Sequence, residues 1–181
     1  MINAVGVIEM KSIAKGIEAC DSALKSADVR MISAHASCPG KYEMLLTGEI
    51  SAVRAAMDQV KERYAHYVLD TILLGRIEEA VIRALMGVQA QPQQGAVGII
   101  ETFTAASAIK AADAAVKTAE VEIVDLRVSR GMGGKGVAII TGSVGAVTAA
   151  VEAGSDYAKQ QGLFMASTVM AAPHADLWQY I

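Results

Sequence analysis

The chain spells one plan twice. "AVGVIEMKSIAKGIEACDSALKSADV" (4–29) aligns without gaps on "AVGIIETFTAASAIKAADAAVKTAEV" (96–121), with about half the positions identical and most others conservative. The match resumes at "GKYEMLLTGEISAVRAAM" (40–57) and "GKGVAIITGSVGAVTAAV" (134–151); between the blocks the second copy is two residues longer, within "RGMGGKG". Repetition on this scale means two homologous domains in tandem, each building the same fold from its own half. The first is read as residues 1–88 and the second as 96–181. Between them, polar, Pro- and Gly-containing "GVQAQPQQG" supplies a linker at 89–95.

Each copy carries the same succession of patterns. Residues 4–9 and 96–101 read as a strand. Ser12 and Thr104 stand where a helix N-cap is needed. Apolar residues then recur at helical spacing: Ile13, Ile17, Ala23 and Leu24 in one copy, Ala105, Ile109, Ala115 and Val116 in the other. A second strand is expected over 29–36 and 121–128, then a Gly-rich turn, then a third strand over 42–47 and 136–141. A helix follows at 50–65 and 144–160, a short strand at 68–74 and 163–169, and a terminal segment. The order β-α-β-β-α-β predicts an α+β fold: two tandem ferredoxin-like, split β-α-β domains, each an antiparallel sheet with two helices on one face.

Composition removes several functions. With 16 basic against 19 acidic residues and no basic block, nucleic acid is not an expected partner. No apolar run reaches the roughly 18 residues of a membrane span, although 53% of residues are hydrophobic. Met1 to Val5 lead straight into a strand pattern with no signal peptide, so a cytoplasmic protein is expected. Two cysteines, Cys20 and Cys38, fit a reducing compartment and no disulfide scaffold. Carboxylates are scattered and no triad partners His35, His66 or His174, so an enzyme is not expected. "RGMGGKG" lacks the P-loop spacing; its glycines suit close approach of backbones.

In combination, "AVGVIE" and "AVGIIE", "CDSALKSADV" and "ADAAVKTAEV", "PGK" and "GGKG", "TGEISAV" and "TGSVGAV", and "APHADLW" resemble the bacterial microcompartment shell domain, over nearly the whole chain. Two such domains in tandem, each opening on its first strand, resemble the tandem, non-permuted shell class. That resemblance implies a homotrimer whose six domains imitate a flat hexagonal tile, meeting other shell proteins edge to edge. It implies that Ser37, Pro39, Gly40 and Lys41, with Gly131, Met132, Gly133, Gly134 and Lys135 of the second turn (Arg130–Gly136), line a central pore. It implies tile-edge contacts at Lys25 and Lys117. It implies, finally, that Cys38 is a metal ligand to an iron–sulfur cluster on the threefold axis.

The chemistry of that last expectation depends on copy number. Clusters are usually held by four thiolates, and one chain offers neither four cysteines nor a CxxC. Threefold symmetry turns one Cys38 into three thiolates, and a 4Fe-4S cubane has a threefold axis through one iron, whose remaining position takes water or a small ligand. Pro39-Gly40 provides a sharp turn to aim the thiol and backbone amides at the axis, and Lys41 adds positive charge nearby. Cys20, replaced by Ala112 in the second copy, reads as a buried small hydrophobe. His35 lies close enough in sequence to approach the pore, and His174 reads as a capping or packing residue. Three functions remain: a shell tile whose redox-active pore serves electron transfer or cluster delivery across the shell, with an encapsulated or cytosolic redox enzyme as partner, a metal-free tile passing small metabolites, and a soluble trimeric ferredoxin-like ligand-binding regulator or enzyme.

Overall fold

The structure, a computed structural model, describes residues 4–88, 95–128 and 131–181. Of the expected linker only Gly95 falls within these, and Arg130 of the second turn lies outside them. The described residues form two compact units. The first is drawn from Met1–Ile77 with Arg130–Gly134, the second from Glu78–Ser129 with Lys135–Ile181.

The first unit contains β1 (Ala4–Met10), α1 (Ile13–Ser26), β2 (Val29–Ser37), β3 (Lys41–Gly48), α2 (Ile50–Arg63) and β4 (Val68–Gly75). The second opens with a short helix, α3 (Glu79–Leu85). It continues with β5 (Ala96–Thr102), α4 (Ala105–Thr118), β6 (Val121–Val128), β7 (Gly136–Gly142), α5 (Val144–Gln160), β8 (Phe164–Met170) and a 3-10 segment at Ala175–Gln179. The sheets run β2-β3-β1-β4 and β6-β7-β5-β8, every pairing antiparallel, as the split β-α-β order requires.

Even the irregularities repeat. Ala4 pairs with Gly48 as Ala96 pairs with Gly142. The β2–β3 register shifts between Met31 and Ser33, and β6–β7 shifts between Ile123 and Asp125. A second shift follows Glu9 in β1 and Glu101 in β5. The two extra residues of the second copy therefore fall in the turn between Val128 and Gly136, leaving both ladders unaltered.

The predicted caps form. Ser12 Oγ accepts from the Lys15 N–H at 3.3 Å and Thr104 Oγ1 from the Ser107 N–H at 3.2 Å, each satisfying an orphan donor of the first turn. Period-two alternation sends Ile8, Met10, Met44 and Leu46 to the helix-covered face, where they pack with Ala19, Ala23, Val53, Ala56, Met57 and Val60. Helix α1 departs from the expectation based on its apolar spacing. Ala23 is buried, but Ile13, Ile17 and Leu24 are 41%, 56% and 44% exposed. The face against the sheet is made instead of small residues, Gly16, Ala19, Cys20 and Ala23, because the helix lies close to the strands. A Cβ on Gly16 would stand 2.5 Å from Tyr42 ring carbons. In the second copy the roles reverse: Ala108 occupies the helix position and Gly136 the strand position, where an added Cβ would lie 2.4 Å from that of Ala108.

Candidate functional site

Two antiparallel strands that end at Ser37 and restart at Lys41 leave three residues to reverse the chain. The Gly40 N–H donates to the Ser37 carbonyl at 3.0 Å, closing a turn whose third residue is Pro39 after a cis peptide bond. Gly40 follows at φ +83°, the left-handed region that a side chain disfavours. Cys38 is carried at the exposed apex. Among the described residues no group of three or more His, Cys, Asp or Glu side chains is placed to hold a metal within one chain.

The remaining cysteine is out of reach of this turn. Cys20 is buried on α1, its Sγ 3.9 Å from Met44 Sδ, and burial pushes its thiol pKa up against a smaller opposing hydrogen bond from Tyr42. A neutral, enclosed thiol is a poor ligand and a poor nucleophile.

Lys41 and Gly40 are more committed than the sequence implied. Lys41 Nζ lies 3.2 Å from Glu9 Oε2 and donates to the Gly134 carbonyl at 3.3 Å, with its side chain only 16% exposed. The ammonium therefore fixes the base of the turn rather than standing free beside the apex, and the Gly40 amide is spent inside the turn. The same ion pair recurs in the second unit, where Lys135 Nζ meets Glu101 Oε1 at 3.0 Å. Glu9 and Glu101 were overlooked in the sequence, although both copies keep a glutamate at that strand position and a lysine after the turn glycine. Only the strand register shows that they meet.

Gly131, Gly133 and Gly134 adopt φ of +71°, +64° and +88°. Gly134 is buried in the first unit. A Cβ there would lie 2.8 Å from Lys41 Nζ and 3.0 Å from the Cys38 carbonyl, so only glycine allows this approach. The structure thus brings Cys38, Lys41 and Gly134 together. Met132 is half-buried beside them in sequence, and Lys135 falls in the second unit.

A further polar group, present in one copy only, lies on the sheet face opposite α1 and α2. Glu43 is fully buried and pairs in register with Glu9 on one side and His35 on the other. His35 Nε2 stands 3.8 Å from Glu43 Oε2, beyond hydrogen-bond distance; among the described residues neither it nor either Glu43 oxygen has a hydrogen-bond partner, nor does the Ser37 hydroxyl. The second copy places Val137 and Arg127 at the corresponding positions. His66 contacts Lys11 and Tyr67, away from this group, while His174 caps the 3-10 segment by accepting from the Asp176 N–H.

The two lysines expected at edges end their helices in equivalent ways. Lys25 bonds Asp21 at 2.6 Å and Lys117 bonds Asp113 at 2.8 Å, each one helical turn back. Asp21 is 63% exposed, whereas Asp113 is fully buried and also accepts from the Glu78 N–H at 3.1 Å.

A family model described as "BMC domain" matches twice, over residues 4–77 and 96–173. The chain is 36% identical to the bacterial microcompartment shell protein PduT of Citrobacter freundii over 179 residues, 99% of this chain and 97% of the relative. It is 41% identical over 86 residues to the shell protein PduA of Salmonella typhimurium, covering 47% of this chain and 88% of the relative. A crystal structure of a microcompartment protein from Desulfitobacterium hafniense superimposes with a TM-score of 0.88, at 38% identity and 99% coverage of both chains.

Proposed function

Since the chain belongs to the BMC domain family, as a tandem shell protein of bacterial microcompartments, we propose that three copies close into a six-domain tile whose central turns hold a 4Fe-4S cluster on the threefold axis. The observation that carries this reading is the position of Cys38. It is an exposed thiol at the apex of a short, closed turn, and the only other cysteine is locked in the core. A single such thiol is one third of a donor set, which the other copies complete. The donors of this chain fit that requirement: a soft sulfur ligand at the apex, with Glu9 and Gly134 holding Lys41 so that the turn has a fixed base.

When bound, the cluster supplies one-electron transfer between the two sides of the shell, with an encapsulated or cytosolic redox enzyme as the exchange partner. The residues of this chain would orient the thiol toward the cluster and keep bulk out of the crowded centre through Gly131, Gly133 and Gly134. Lys25 and Lys117 sit at helix ends suited to meeting neighbouring tiles.

The test is anaerobic reconstitution followed by iron and sulfide analysis. Wild-type protein is expected to take up four irons per three chains and to absorb near ~400 nm. Cys38→Ser is expected to lose both while keeping the wild-type mass in light scattering, and Cys20→Ala is expected to retain both. Wild-type protein that binds no iron, or a Cys38→Ser variant that binds as much, returns the turn to a plain pore lining that passes small metabolites.

A further inference from the structure

The two copies share their folds but not their surroundings. Among the described elements, α1 packs against β1, β2, β3 and α2, and α4 packs against the corresponding β5, β6, β7 and α5. Helix α4 has one neighbour with no counterpart at α1: the short helix α3, which also packs on β6. It buries its own Val81 and Ala84, and the Glu78 N–H at its N-cap donates to Asp113. A carboxylate at a helix N-terminus satisfies an orphan amide and opposes the positive end of the peptide dipoles.

The equivalent flank of the first copy is bare. Ile17 is 56% exposed where Ile109 is fully buried, and Ile13 is 41% exposed where Ala105 is 1% exposed. Ala34 of β2 is exposed where Leu126 of β6 is buried. Asp21 is exposed and, among the described residues, bonded to Lys25 alone, where Asp113 also receives an amide.

The chain also contains the missing piece. The strand pairings make Asp70 and Ala166 equivalent, because they oppose Glu9 and Glu101. In that register Pro173, His174, Leu177 and Tyr180 correspond to Ile77, Glu78, Val81 and Ala84. Glu78 and His174 both occupy the N-cap position of the segment that follows. Where Val81 and Ala84 are buried, Leu177 is half-exposed and Tyr180 is 76% exposed. Trp178 and Ile181 of this segment pack on Val97, Val124 and Ile139 of their own unit, which leaves the side carrying Leu177 and Tyr180 facing outward. A bare flank and an outward side, matching a pair already joined in the other copy, are the two halves of one contact.

We propose that the α1–β2 flank of each chain receives the C-terminal segment, Pro173–Ile181, of a second copy, with the His174 N–H donating to Asp21 and with Leu177 and Tyr180 covering Ile13 and Ile17. The surfaces are different on the two sides, so the contact is head to tail and builds a ring. It rests on the reading of the chain as a self-assembling tile and specifies how that tile closes.

Two variants test it. Ile17→Asp with Asp21→Arg breaks the flank, and Leu177→Asp with Tyr180→Asp breaks the segment; neither alters the Cys38 turn, and circular dichroism checks that each is folded. Each alone is expected to fall from the wild-type mass to that of a single chain of 18.9 kDa. Mixed in equal amounts they retain one intact flank and one intact segment, so the mixture is expected to form heterodimers and nothing larger. A second measurement does not depend on disrupting the surfaces. In a Cys38→Ser background, Asp21→Cys with His174→Cys is expected to give chains linked through disulfides on oxidation. Variants that keep the wild-type mass, or a mixture that stays monomeric, or oxidation without linkage, would overturn the contact while leaving a trimeric wild type as a tile. A monomeric wild type would remove both.

Discussion

At the scale of single residues, the two cysteines are chemically unlike despite being the same side chain. Cys38 meets solvent at a turn apex, and Cys20 is enclosed with its thiol pKa raised by burial. Alkylation with iodoacetamide at neutral pH is therefore expected to add one group to the native protein, at Cys38, and a second only in denaturant; peptide mass spectrometry reads the sites. Equal labelling of both cysteines in the native state would contradict the burial of Cys20. Glu43 gives a second prediction. Its side chain is buried with both oxygens lacking a hydrogen bond among the described residues and with His35 Nε2 at 3.8 Å, and the second copy has Val137 in the same place. Burying a polar group without a hydrogen bond costs about 1–3 kcal/mol, so Glu43→Val is expected to raise stability by an amount within that range in urea unfolding. A net loss would show that Glu43 has a polar role that outweighs its burial.

At the scale of elements, the repeat made the strand order, the helix caps and the turns readable, because each pattern occurs twice and chance rarely repeats itself. The sequence was less informative about which face of α1 is buried. Periodicity singled out the large apolar residues Ile13, Ile17 and Leu24, while the buried face consists of the smaller Gly16, Ala19, Cys20 and Ala23. Size and closeness of packing decide that choice, and a helical period carries no information about either. The pairs of Glu9 in β1 with Lys41 at the start of β3, and of Glu101 in β5 with Lys135 just before β7, were hidden for a different reason: their partners are far apart in sequence, and only the fold brings them together. Burial separates the two pairs energetically. Removing one partner of a buried pair costs about 3–5 kcal/mol, and the Lys41–Glu9 side chains are 16% and 0% exposed. Lys135 and Glu101 are 35% and 31% exposed, so solvent screens them toward about 1 kcal/mol or less. Lys41→Met is thus expected to destabilise several-fold more than Lys135→Met in denaturant titrations; equal losses would mean that burial does not set the difference.

At the scale of the whole molecule, sheet formation is the property to test. Lys25→Ala with Lys117→Ala is expected to abolish extended sheets in electron micrographs while sparing the soluble oligomer, and unchanged sheets would remove both lysines from the tile edge. The two substitutions are not equal in cost to the fold. Lys25 serves an exposed Asp21, whereas Lys117 neutralises a fully buried Asp113 whose other cation, Lys110, stands 3.6 Å away. A melting curve on each single variant separates loss of an edge from loss of the fold. The exchange at Gly16–Tyr42 and Ala108–Gly136 reaches beyond the folded protein to its gene. Two similar coding repeats invite unequal recombination, which joins the helix of one half to the strand of the other. A crossover between the α1 and β3 codons would set Gly16 against Gly136, leaving a gap, and the reciprocal product would drive Ala108 into Tyr42. Either product is penalised by packing, so this pair of complementary swaps acts as a lock that keeps the two halves of the gene from being shuffled into one another.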